Sequence, residues 1–249
     1  MLRVMSDERV DWEELARREP YFAVLATDGS DAVQSSAEPS EAYSRTGEAD
    51  VAALLNAIET LLSRKLALTS VLDFGCGAGR LTLPLARRAT QVTACDIAPT
   101  MLAHVRRNAG AAGLSNVSLI SPDELQTSQR RFDFVCSLLV LQYLPHAEGY
   151  AAVRTLTEAL ARGGVAALEI PLAPALTVER YVRAMRTRSR FTPASAAGER
   201  QTPRRALRMY RYGQRRLAQE IETAGGHVVA LLPAHEGEQN SVVVVIEKR

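Results

Sequence analysis

The chain has 249 residues, is 47% hydrophobic and carries a formal net charge of +2. That is enough chain for one large domain, or a domain with an appendage, and for a sizeable core. It has too little charge bias for a general nucleic-acid binder. It contains no run of 18 apolar residues and no apolar leader after Met1, which speaks against a membrane span or a signal peptide. Cys76, Cys95 and Cys136 lack C-x-x-C spacing, so they read as buried reduced thiols in a reducing cytoplasm rather than a disulfide framework or metal site.

In chain order, residues 8–19 read as a short helix, with Val10, Trp12, Leu15 and Ala16 at helical spacing. Residues 21–25 follow Pro20 as an apolar anchor, and residues 28–46 read as a polar loop. Thr46 is a candidate N-cap for a helix reaching Lys65, with Val51, Leu54, Leu55, Ile58, Leu61 and Leu62 as its apolar stripe. Strands are expected at 70–74, 91–96, 116–120, 132–138 and 164–170, with helices from Leu81, over 99–112 and over 146–161. His104 falls on an outer helical face. Such alternation implies a mostly parallel sheet covered on both sides. Residues 172–212 then interrupt the pattern, and a helix over 214–223 ends at Gly225-Gly226. Two late strands, 227–232 and 241–247, complete the chain.

One stretch organises the rest: Asp73-Phe74-Gly75-Cys76-Gly77-Ala78-Gly79. A strand, a Gly-rich turn and a helix start make a nucleotide-binding corner, because glycines let a ligand lie against the main chain. The glycines are spaced G-x-G-x-G, and Asp73 precedes them. A carboxylate suits a pyrophosphate poorly but suits an ammonium group. Asp96, about 20 residues past the first glycine, ends the next strand, where an acid accepts hydrogen bonds from a ribose diol. It also suits a helix N-cap before Pro99, and one residue can serve both roles. Ile97 and Met101 are placed to pack on an adenine.

These residues resemble the first motif of the class I S-adenosylmethionine-dependent methyltransferases, of the small-molecule type. Phe132 to Pro145 is similar to that family's fourth-strand motif, and Gly163-Gly164 matches its usual helix stop. The resemblance implies an α/β, Rossmann-like doubly wound fold, with a mostly parallel seven-stranded sheet and an antiparallel last strand. It implies an N-terminal helical and loop cap (1–46) and a methyltransferase domain (47–249) that includes a helical substrate lid (172–212). S-adenosyl-L-methionine is the implied cofactor. Its implied contacts are Asp73, Gly75, Cys76, Gly77, Gly79, Asp96, Ile97, Met101 and Leu138. Asp123 is the match to an adenine-binding acid after the third strand, with Ser121 or a backbone group as the alternative. Arg45 and Gly47 lie in a segment that closes over the methionine end in relatives, where Arg45 can pair with the cofactor carboxylate; a plain helix-preceding loop is the other reading.

Methyl transfer needs a base only when the acceptor must lose a proton of high pKa. His146, Tyr143, His235 and Glu169 are the candidates, His146 first, and each also suits a structural or exposed role. Relatives often carry a His where this chain has Tyr143. No metal-ligand cluster is evident. Residues 1–46 hold ten acids and five arginines, whereas 172–212 hold ten arginines and two acids. The basic segment either meets an anionic or sugar-like acceptor or is a solvated cover neutralised by the N-terminal region. The expected activity is methylation of a small molecule at oxygen, a natural product or saccharide, with no nucleic-acid or membrane partner and a second copy of the chain as the expected assembly. The alternatives are N-methylation or a non-catalytic cofactor-binding regulator.

Overall fold

The computed structural model describes residues 11–21, 41–173, 209–234 and 241–249. A seven-stranded sheet runs through its centre: β1 (Ser70–Phe74), β2 (Gln91–Cys95), β3 (Val117–Ile120), β4 (Phe132–Ser137), β5 (Leu160–Pro171), β6 (Gly226–Pro233) and β7 (Ser241–Lys248). Their order is β3-β2-β1-β4-β5-β7-β6. The first five strands are mutually parallel, and β7 lies antiparallel between β5 and β6. This is the doubly wound architecture expected of the sequence. The chain reverses its direction of travel at β1, so the carboxyl ends of β1, β2 and β4 open into one crevice.

The core fills both faces of the sheet. Val71, Val92, Phe134, Val165 and Val245 pack on one face with Leu55 and Ile58 of α2 (Glu41–Leu62) and Leu85 of α3 (Thr82–Ala86). Leu72, Val135, Ala166 and Val244 pack on the other with Val153 and Leu156 of α6 (His146–Glu158) and Leu217 and Ile221 of α7 (Gln214–Thr223). The near-continuous apolar runs of β1, β4 and β5 are those of strands covered on both sides. Asp133 is structural, accepting a 2.9 Å hydrogen bond from the Ser70 N–H and tying the start of β4 to the start of β1.

Several boundaries differ from the sequence expectation. Helix α2 starts at Glu41, so Thr46 lies inside it and its hydroxyl donates to the Tyr43 carbonyl at 2.9 Å. Gly47 in the same helix lets α2 pack closely on the glycine turn, because a Cβ there would stand 2.1 Å from the carbonyl oxygen of Arg80. Ser121 to Thr127 hold an unforeseen short helix, α5 (Pro122–Thr127), closed by a capping box between Ser121 and Glu124. Helix α6 ends at Glu158, and β5 begins at Leu160, with a register shift before Val165 pairs with Phe134. His104, on α4 (Pro99–Ala111), is half-buried, its ring packed edge-on against Tyr21 with centroids 5.8 Å apart. Residues 22–40 and 174–208 and His235 lie outside the described residues. Among the described residues, no helix is long and apolar enough to cross a membrane.

Candidate active site

The Gly-rich turn follows β1 with all three glycines in the left-handed region, Gly75 at φ 73°, Gly77 at 51° and Gly79 at 96°. That conformation strains any side chain. The turn brings the Gly75 and Cys76 amides back onto the Cys95 carbonyl at the end of β2.

Asp73 is 2% exposed and accepts a 2.6 Å hydrogen bond from the Thr82 hydroxyl. Burial raises its pKa to about 6, against the opposing pull of Thr82 and the Arg80 guanidinium. Asp96 sits one strand over, accepting from the Gly77 amide at 2.8 Å and the Ala98 amide at 2.9 Å. These bonds lock the carboxylate at the mouth of the turn and leave it capacity to accept from a hydroxyl. Burial also raises its pKa, opposed by those amides. Beside it Ile97 is 68% exposed and Met101 is buried under the turn. The set offers two acids spaced along a concave main-chain surface and an apolar face next to the second.

A cavity of ≈ 50 Å³ at the carboxyl ends of β1 and β4 is lined by Asp73, Gly75, Cys76, Arg80, Leu81, Leu138 and Leu139. Arg80 was not singled out from the sequence, although a charged residue inside an apolar turn-and-helix run was the available signal. It is 7% exposed and its guanidinium is ion-paired with Asp50 of α2. Its Nε–H is buried without a hydrogen-bond partner, a state that ordinarily costs about 1–3 kcal/mol.

The loop after β4 forms the other wall. Leu139 is a non-glycine residue at φ 62°, and its amide donates to the buried Glu169 carboxylate on β5 at 3.1 Å. Glu169 thus anchors the loop. Val140 lies against Gly75, where a Cβ would meet it at 2.3 Å. The chain then makes a short 3-10 turn at Leu141–Tyr143.

The N-terminal helix α1 (Trp12–Arg18) touches both the start of α4 and the loop after β4. Glu13 accepts from the Thr100 amide at 3.1 Å and its hydroxyl at 2.5 Å, at the start of α4. Trp12 packs on Tyr143 of the β4 loop, centroids 5.1 Å apart. Burial raises the pKa of the Tyr143 phenol, which is therefore neutral at pH 7. His146, the first residue of α6, is exposed; its Nε2 lies 3.0 Å from the Arg211 carbonyl and its ring meets Tyr210 and Tyr212 edge-on. A carbonyl only accepts, so Nε2 is the donor in this contact.

Of the residues singled out from the sequence, Asp73, Gly75, Cys76 and Leu138 line the cavity, whereas Gly77, Asp96, Ile97 and Met101 do not: Gly77 and Asp96 are bonded to each other, Met101 packs with Ala78 and Ala98, and Ile97 is exposed. Gly79 lies under α4, where an added Cβ would touch Leu83 and Val105. Gly47 packs behind Arg80, and Arg45 is exposed on α2. Asp123 is exposed in the first turn of α5. Tyr143 and His146 stand along the loop beyond β4, and His235 is outside the described residues.

Residues 71–164 match a family model described as a methyltransferase domain. Over 81 residues the chain is 38% identical to the ubiquinone biosynthesis O-methyltransferase of Methylocella silvestris, a match covering 32% of each chain. Over 107 residues it is 35% identical to the aklanonic acid methyltransferase DauC of a Streptomyces species, covering 41% of this chain and 48% of that one. The chain thus spans a third to a half of the length of these two relatives. In fold it is similar to the magnesium protoporphyrin IX methyltransferase of Synechocystis solved with bound SAH, with a TM-score of 0.59, 18% identity and coverage of 93% of this chain and 98% of that one.

Proposed function

We propose, from the premise that residues 71–164 form a methyltransferase domain on the class I S-adenosylmethionine-dependent fold, that the chain methylates a small-molecule acceptor at oxygen. The observation that carries this reading is the pair of acids, Asp73 and Asp96, ending consecutive parallel strands around a left-handed glycine turn. The donor set fits S-adenosylmethionine. A buried carboxylate meets an ammonium, a second carboxylate meets a ribose diol, the exposed Ile97 meets an adenine face, and the orphaned Arg80 Nε–H calls for an acceptor.

When bound, the cofactor would supply an electrophilic methyl group on a positively charged sulfur. The protein's share is alignment. Asp73 and the Gly75–Gly79 turn hold the amino-acid end, and Asp96 fixes the sugar. Leu138 to Val140, braced by Glu169, and the Trp12–Tyr143 pair exclude water on the acceptor side. The neutral Tyr143 phenol donates a hydrogen bond to the acceptor, and His146, at the start of α6, is read as the base for an acceptor that must lose a proton. Asp123, held in the first turn of α5, is read as reaching the adenine amino group. The Arg-rich segment within 172–212 is read as the acceptor lid, suited to an anionic or sugar-like compound. The oxygen preference draws support from the likeness to an O-methyltransferase of ubiquinone biosynthesis.

Calorimetric titration with S-adenosylmethionine, followed by transfer of labelled methyl to a panel of phenols, carboxylic acids and saccharides, tests the reading. Asp96→Ala is expected to weaken cofactor binding about 10- to 100-fold, the loss of a charge-assisted diol contact. Full affinity in that variant, or no heat with wild type, rejects the site.

A further inference from the structure

Arg80 and Asp73 place opposite charges on the wall of the same small cavity. Both are almost fully buried. One face of the Arg80 guanidinium is committed to Asp50, and its side chain rests on the Cβ-less surface of Gly47. Its Nε–H is buried without a hydrogen-bond partner. A guanidinium presents five N–H donors in a rigid plane that matches a carboxylate with two parallel bonds. Leu81, Leu138 and Leu139 line the cavity around it, keeping the local dielectric low, where such a pair is strongest.

We infer that Arg80 binds the carboxylate of the ligand's amino-acid end, with Asp50 orienting the guanidinium and Asp73 taking the ammonium, so that the cavity is a receptor for an α-amino-acid zwitterion. This assignment rests on the cofactor reading above. It moves the carboxylate contact from Arg45, which is exposed on α2, to the buried residue that follows the glycine turn.

The test compares S-adenosylmethionine with its decarboxylated form by calorimetry, because the two differ only in the carboxylate. Wild type is expected to prefer S-adenosylmethionine about 10- to 100-fold, the ratio of a charged bidentate contact. Arg80→Met should bring the two affinities together, while Arg45→Met leaves the preference intact. Arg80→Lys, which keeps the charge and loses the planar fork, should retain only part of it and covers the case in which Arg80→Met does not fold. Equal affinity of wild type for both compounds, an unchanged preference in the Arg80 variants, or its loss in Arg45→Met overturns the assignment. Wild type that binds neither compound rejects the cofactor reading itself, a result distinct from binding that ignores Arg80.

Discussion

At the scale of single residues, the informative groups are charged side chains removed from water. Asp73 has its pKa raised from 3.8 to about 6 by burial. The folded protein therefore holds this proton more tightly than the unfolded chain does. The group's contribution to stability is complete below pH 3.8 and is lost as the pH rises through about 6. Wild type should lose stability relative to Asp73→Asn over that window, read as urea midpoints. Cofactor affinity should run the other way, rising through pH 6 as Asp73 ionises to meet the ammonium; a flat affinity profile in wild type removes Asp73 from that role. Arg80 and Asp50 make the complementary case. Their charges are stabilised by each other, and breaking such a buried pair is more damaging than never having built it.

Among the elements, α6 and α7 are joined to the loop beyond β4 by an aromatic latch. The buried Tyr212 hydroxyl lies 2.8 Å from the Leu141 carbonyl and 2.7 Å from that of Leu144, and the Tyr150 hydroxyl accepts from the Gly213 amide at 2.8 Å. Tyr212 meets Tyr150 and His146 edge-on, and Arg216 lies 4.6 Å over the Tyr150 ring. Gly149 makes this possible, since a Cβ there would stand 1.9 Å from the Tyr212 hydroxyl. Gly149→Ala should cost about 1–3 kcal/mol of unfolding free energy, the range for overpacking a filled site. Gly110→Ala on α4, where nothing lies within 4 Å, should be neutral or stabilise by up to ~1 kcal/mol. Urea denaturation of both variants decides; equal effects set the latch aside.

Over the whole molecule, the segment read as a lid leaves and returns at one place. Leu172 pairs with Tyr212 in a parallel bridge, and the Ala173 amide donates to the Tyr212 carbonyl at 2.8 Å. Both ends of the insertion thus stand beside β5, and the loop beyond β4 carries Tyr143, which packs on Trp12 of α1. Trp12, the single tryptophan, sits at that meeting point. Saturating S-adenosylmethionine should change its emission and raise the melting temperature, since a ligand at 100 times its Kd stabilises by about 2.7 kcal/mol. A shift in neither observable counts against a cofactor site under α1. The elements, the glycine turn and the acids at the ends of β1 and β2 were legible from the residues alone, because strand and helix periods, turn conformations and strand-end positions are local properties of a chain. Even there, the start of α2 was hidden, because Thr46 reads locally as a cap whereas its hydroxyl bonds the Tyr43 carbonyl inside the helix. The order of the strands past β5, the seat of α1, the unpartnered Nε–H of Arg80 and the fit of Tyr212 against Gly149 depend on which surfaces meet. Glu13 reaches Thr100 across 87 residues of sequence, and shape complementarity over such a span has no period to read.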